Sequence, residues 1–299
     1  MNGLMRKLLC SIGLAYVAFV APAVRAETEL GLGMGFGADM FRSYELNAST
    51  DLFNWPLQLD VTKYLGRSDG VTVMDNTEIG VDWFATKALA LGVRHRKAEG
   101  DYFHTSGNDI HAGFDLNSLW DSKATTTVDF GLGWHDYALN PARPQPPALV
   151  AILPTVRKSS VSLTQEIAAG LSLTAGINDY RYNRDPVALA RAVIRRLGRP
   201  VAAVYELTSF TDRSTELGVH WKATERLTLD LSYQRSNTVL DQRQEATRLR
   251  VEFQLSKLAT VEWGISRSTA NTARSPSGIV IAESGKSTLN EIAARFQFD

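Results

Sequence analysis

The sequence predicts an all-β chain: a transmembrane antiparallel up-and-down barrel. Three observations carry this. Apolar and polar residues alternate in nearly every segment after residue 26, short and long connections alternate between segments, and charged residues and glycines keep to one face. Val128, Phe130, Leu132 and Trp134 alternate with Asp129, Gly131 and Gly133, and Leu227, Leu229, Leu231 and Tyr233 alternate with Thr228, Asp230 and Ser232. Period two gives a strand one apolar and one wet face. In a barrel that crosses a membrane the apolar face meets lipid and the wet face lines a lumen.

Residues 1–26 read as a cleavable secretory signal. Arg6 and Lys7 precede an apolar run from Leu8 to Ala21, and Val24-Arg25-Ala26 supplies small residues at −3 and −1. The run is too short and too soon broken, by Pro22 and Arg25, for a spanning helix. Cys10, the one cysteine, lies inside it, so the mature chain, residues 27–299 as a single barrel domain, is expected to fold without disulfides. Of the 32 basic residues the signal removes three (Arg6, Lys7, Arg25), leaving 29 against 32 acidic. That balance gives no footprint for nucleic-acid binding. Mean hydropathy is slightly negative, as alternation requires.

Leu30–Met40 is the first expected strand. From residue 74 onward, short turns at Phe84–Lys87, Trp120–Lys123, Ala168–Gly170, Trp221–Glu225 and Gln254–Leu258 alternate with longer connections near 96–107, 138–157, 184–211, 236–245 and 268–286. This rhythm separates a barrel from a sandwich. Residues 41–73 fit it poorly, because Trp55-Pro56 interrupts them, and they read as a long first loop with its own hairpin. The expected count is therefore twelve strands; taking 41–73 as two further staves gives fourteen. Trp83, Trp120, Trp221, Phe253 and Phe298 fall near the ends of descending strands on the lipid side, where rings suit the headgroup boundary. Trp134, Tyr180, Tyr182 and Tyr233 are expected to form parts of an upper belt.

The last segment, Thr288–Phe298, places Ile292, Ala294, Phe296 and Phe298 on one face. It resembles the C-terminal assembly signal of Gram-negative outer-membrane β-barrel proteins, over about ten residues, with Asp299 added after the aromatic. The resemblance implies the bacterial outer membrane, with membrane lipid and lipopolysaccharide around the barrel and the barrel-assembly machinery as a partner during biogenesis.

Parity assigns the lumen. Asp39, Glu78, Asp82, Asp109, Asp115, Asp129, Glu166, Glu216, Asp230, Glu252, Glu262 and Glu291 are expected to face inward, with Arg94, Arg96, Lys158, Arg248, Arg250 and Arg295. These charges read either as ion-pair ladders filling a wet interior or as a charge-selective pathway favouring cations. Within 184–211, Asp185 suits an N-cap, Pro186 the first helical position, and Gly198 and Pro200 the end. Val187, Ala190, Ile194 and Leu197 share a face; Arg191, Arg195 and Arg196 fall largely opposite, with Arg199 beyond. Such a helix either folds into the lumen as a constriction or lies on the surface, its arginines on lipopolysaccharide phosphates.

No metal-type spacing occurs among the five histidines, and no cofactor is expected. His104-Thr105-Ser106 resembles the active-site pattern of outer-membrane phospholipase A and of the lipid A deacylase barrels. The resemblance implies a histidine that activates a serine, with a third polar residue orienting the histidine. That pattern continues Asn-Gly, whereas Gly107-Asn108 follows here. The leading expectation is a passive channel or export conduit for small polar solutes or a glycan. A lipid hydrolase using His104 and Ser106 is the second, and a closed structural or adhesive barrel the third.

Overall fold

A computed structural model describes residues 27–38, 40–52, 55–68, 71–100, 102–117, 124–142, 146–197, 210–274 and 280–298. The strands are β1 (Thr28–Gly37), β2 (Arg42–Asp51), β3 (Leu57–Ser68), β4 (Val71–Thr86), β5 (Leu89–Glu99), β6 (Phe103–Asp115), β7 (Thr126–Leu139), β8 (Thr155–Ala168), β9 (Leu171–Tyr182), β10 (Thr211–Lys222), β11 (Leu227–Thr238), β12 (Arg243–Ser256) and β13 (Ala259–Ala270). A short hairpin of β14 (Ala273–Arg274) and β15 (Val280–Ala282) precedes β16 (Gly285–Phe298). Two helices, α1 (Pro147–Val150) and α2 (Pro186–Leu197), lie in connections.

Strands β1–β13 and β16 close one antiparallel barrel of fourteen staves. β1 pairs with β16, Thr28 opposite Phe298, so no edge is left unpaired. Closure satisfies backbone donors and acceptors all round, the condition for crossing hydrocarbon. The expected twelve is corrected to the alternative count of fourteen. Residues 41–73 are not a loop with a private hairpin: β2 and β3 pair with each other and with β1 and β4 as full staves. Pro56 sits in the turn between them, where its missing N–H is harmless.

At one end of the barrel the connections span 52–56, 87–88, 116–125, 169–170, 223–226 and 257–258. At the other they include 140–154, 183–210 and 271–284. Two connections expected to be long, near 96–107 and 236–245, are only 100–102 and 239–242, because their strands run further. Among the turns, Gly170 takes φ +74, where an added Cβ would crowd the Lys222 carbonyl that lies alongside. That left-handed conformation closes the β8–β9 turn.

The outer face is apolar. Ile79, Val81 and Trp83 on β4, Val161 and Leu163 on β8, and Leu217, Val219 and Trp221 on β10 all stand exposed. Trp83, Trp221, Phe253 and Phe298 form part of an aromatic ring near the turn end, each about half exposed. A face this apolar is a lipid-facing surface. Tyr180 and Tyr182 do not join an outer belt as expected: they share the parity of Gly176, which faces the lumen. Trp120 and Asp39 lie outside the described residues.

The true apolar core is at the loop end. Phe103, Tyr137, Leu139 and Tyr182 occupy inward positions there and pack with Leu149 of α1, Leu189, Ala190 and Val193 of α2, Phe210 and Leu240. Phe210 is the hub, with ring centroids 4.6 Å from Tyr137, 5.7 Å from Tyr182 and 6.5 Å from Phe103. Three loops are thereby tied into the barrel mouth by burial rather than by charge.

Candidate functional site: the charged lumen

Two charged walls face each other across the interior. On β4–β8, Arg94 lies 3.6 Å from Glu78 and 3.3 Å from Asp82, and Arg96 lies 2.7 Å from Glu78. His111 Nε2 is 2.7 Å from Asp82 Oδ1, and His135 Nε2 is 3.1 Å from Asp109 Oδ1. Lys158 shares this wall and makes no ion pair among the described residues. On β12, β13, β16 and β1, Arg248 pairs with Glu291 at 2.7 Å. Arg250 reaches Glu252 at 3.7 Å and Glu262 at 3.6 Å. Arg295 contacts Glu252 at 2.8 Å, Glu29 at 3.7 Å, and Glu262. Partly exposed pairs such as these contribute about 0–1 kcal/mol each. Their chief effect is to fix the guanidinium groups against the wall.

Glycines make that wall flat. Gly92 on β5 lies in register between Asp82 and His111, and a Cβ there would overlap both side chains. Gly133 does the same for Asp109 beside His135. Gly92 and Gly133 are seats beneath side chains that cross a neighbouring strand.

Not every carboxylate is neutralised. Among the described residues, Glu45, Asp60, Asp129 and Glu216 have no Lys or Arg within ion-pair distance. Glu45 and Asp60 instead accept from Asn47 and Gln58 at 2.9 and 3.2 Å, and Asp129 from Ser162 at 3.4 Å. Asp230 contacts His220 Nδ1 at 2.7 Å. Glu166 accepts from the Thr125 hydroxyl at 2.9 Å, and Asp115 from the Asn117 amide at 2.9 Å. The distribution along the axis is uneven. Glu29, Asp60, Asp82, Asp115, Asp129, Glu166, Asp230, Glu252 and Glu262 all lie within four residues of the turn end of their strands, against Arg295 and Lys222. A cavity of about 400 Å³ opens beside β1–β3 and the Arg248–Arg250–Arg295 wall, lined also by Glu45, Asp60, Gly31 and Gly33.

Glu29, Glu45 and Asp60 escaped the sequence reading. For the last two the signal was present: Leu46, Ala48 and Thr50 alternate with Glu45, Asn47 and Ser49, as Leu59 and Val61 do with Asp60 and Thr62. Trp55-Pro56 masked it.

The helix expected within 184–211 is α2, with the cap anticipated: the Val187 amide donates to Asp185 Oδ1 at 2.8 Å. Its buried face centres on Leu189, Ala190 and Val193, one position round from the stripe expected. Arg191 and Arg195 are exposed and make no ion pair among the described residues. The Arg196 side chain and Arg199 lie outside them. Among the described residues the loop is anchored by apolar packing against Phe210, and neither Arg191 nor Arg195 is paired with a lumen carboxylate.

His104 and Ser106 both fall on the outer face of β6, above the apolar band. Opposite them in register stand Glu99 and Lys97 on β5, and Ala138 and Asp136 on β7. Glu99 is held by Lys97 at 2.5 Å, and Asp136 accepts from Thr155 at 2.8 Å. Asn108 is engaged with His95 at 2.9 Å. Of the residues near enough in sequence to orient His104, Glu99 and Asn108 therefore each have another partner, and Asp101 lies outside the described residues. Among the described residues no group of three or more His, Cys, Asp or Glu is placed to hold a metal.

No family model matches the chain, and no curated protein matches it in sequence. Among solved structures it is similar to an anion-selective porin from Comamonas acidovorans, at 9% identity over 92% of this chain and 99% of that one, TM-score 0.47. It is also similar to OprD of Pseudomonas aeruginosa, at 9% identity over 91% and 94%, TM-score 0.46. A third is the KdgM porin, at 6% identity over 91% and 99%, TM-score 0.42.

Proposed function

We propose that this barrel is a passive channel of the bacterial outer membrane for small polar solutes, with a preference for cations and a loop-end cap that narrows its bore. The observation that carries the reading is the excess, among the described residues, of lumen carboxylates without an arginine or lysine partner (Glu45, Asp60, Asp129 and Glu216) over unpaired lumen lysines (Lys158 and Lys222). Inside a low-dielectric wall, uncompensated charge of one sign raises the local concentration of counter-ions and repels co-ions. The glycine, serine and threonine positions between them leave room for water and solute. Lipopolysaccharide around the loop end and the barrel-assembly machinery during insertion belong to the same reading. A glycan moving through the bore would meet the same carboxylates and amides.

The apolar cap favours a second reading, a barrel closed at the loop end. Planar-bilayer recording of the purified full chain separates the two. Discrete, voltage-stable conductance steps are expected of the channel; a silent bilayer containing correctly folded barrels would end that reading and leave the closed one.

A further inference from the structure

Above the apolar band the outer wall carries a polar collar, and its charge is uneven. On β3–β7 the collar is balanced locally: Lys63 pairs with Asp75, and Lys97 with Glu99 at 2.5 Å. On β8–β10 it is not. Arg157, Arg181 and Arg213 stand on three successive strands at outward positions, whereas Arg235 on β11 faces Glu245 of β12 directly. Asp179 is the one carboxylate at outward positions of those strands, and it is shared by Arg181 and Arg213, at 3.3 Å each. Arg157 stands directly opposite Arg181 in the β8–β9 ladder and has no carboxylate within ion-pair distance among the described residues. Like charges directly opposite on neighbouring strands destabilise a bare sheet. The Arg181 and Arg213 side chains are 84% and 57% exposed, so nothing within the described chain covers them.

We infer that this sector, centred on Arg157, Arg181 and Arg213, binds the phosphate groups of an anionic membrane lipid. A phosphate between guanidinium groups accepts paired N–H bonds from planar forks that suit its geometry. It also removes the Arg157–Arg181 repulsion. The same strands say why the anion belongs to a lipid: along the outward rows of β8, β9 and β10, Val161, Ile177 and Leu217 follow toward the turn end, all exposed. Phosphate at the arginines and acyl chains on that surface are the two ends of one amphiphile. The inference rests on the membrane-spanning reading but not on conduction.

The test is lipid retention by the purified full chain in detergent, followed by native mass spectrometry. The probes are bis-phosphorylated lipid A, the same lipid with both phosphates removed, and inorganic phosphate. Wild type and a Lys63→Gln/Lys97→Gln control are expected to retain the phosphorylated lipid, with an apparent affinity at least tenfold above that of Arg157→Gln/Arg181→Gln/Arg213→Gln. Removing the phosphates should abolish the difference. Heat-modifiable migration checks folding of each variant; if the triple variant misfolds, Arg157→Gln alone, which leaves both Asp179 pairs intact, carries the comparison. Equal retention by wild type and the arginine variant overturns the inference, as does equal loss in the lysine control. Displacement of lipid by inorganic phosphate at equimolar concentration would also overturn it, since the site would then be one for a small anion. Conductance of the same variants is recorded separately, so failure here leaves the channel reading to its own test.

Discussion

His111 and Asp82 touch across an intervening strand: His111 Nε2 on β6 lies 2.7 Å from Asp82 Oδ1 on β4, over the backbone of Gly92 on β5. One contact spans three staves, possible only because the middle residue has no side chain.

Gly92→Ala should therefore be costly and Gly218→Ala nearly neutral. At Gly92 a Cβ meets Asp82 and His111 at once, whereas at Gly218 its nearest neighbour is Thr174 Cβ at 3.5 Å, an ordinary contact. The expected loss for the first is about 1–3 kcal/mol, typical of overpacking. Urea unfolding of the two variants in detergent measures it. Equal stability would mean that the glycine pattern serves some purpose other than seating side chains.

The outer face and the lumen can be told apart by the same substitution made on one strand. Val161→Arg places a guanidinium on the apolar belt and should destabilise by about 2–4 kcal/mol if it falls near the bilayer midplane. Ser162→Arg turns the same group inward, toward Asp129, into water. Unfolding in lipid vesicles should show a large loss for the first and a small one for the second. The reverse order would invert the register.

How far the sequence reveals this molecule depends on what each segment buries. Strands such as β7 and β11 are legible because one face meets lipid and the other water, which enforces alternation residue by residue. β2 and β3 are harder to see because Trp55-Pro56, which looks like a break within one strand, is the turn between two. Charged residues of one parity meet across neighbouring strands, as Arg94 meets Glu78 and Asp82, because an arginine of the other parity within the apolar band would meet hydrocarbon. Two things were not legible. The cap depends on Phe210 and Leu240 converging from separate loops on Tyr182 of β9, and no periodicity within one segment encodes that meeting. The partition of lumen carboxylates into paired and unpaired depends on which strands adjoin, as Arg295 with Glu252 from β12 illustrates.

The cap should open without unfolding the barrel. Phe210→Ala removes the ring on which Phe103, Tyr137 and Tyr182 converge, and aromatic truncations in a core cost about 3–5 kcal/mol. Because that core joins loops to the mouth, the loss should appear as faster proteolysis within 183–210, with heat-modifiable migration of the barrel retained. Deleting Val187–Arg199 should raise single-channel conductance for the same reason. An unchanged conductance in the deletion would place the helix away from the pathway.

The most direct test of a cation-favouring lumen is the reversal potential of single channels in a planar bilayer across a potassium chloride gradient. Wild type is expected to reverse on the potassium side of zero, and Glu45→Gln/Asp60→Gln/Glu216→Gln to shift toward zero, since the variant removes carboxylates that no arginine or lysine among the described residues neutralises. A wild-type potential at zero or on the chloride side, unmoved by the triple substitution, would contradict the account.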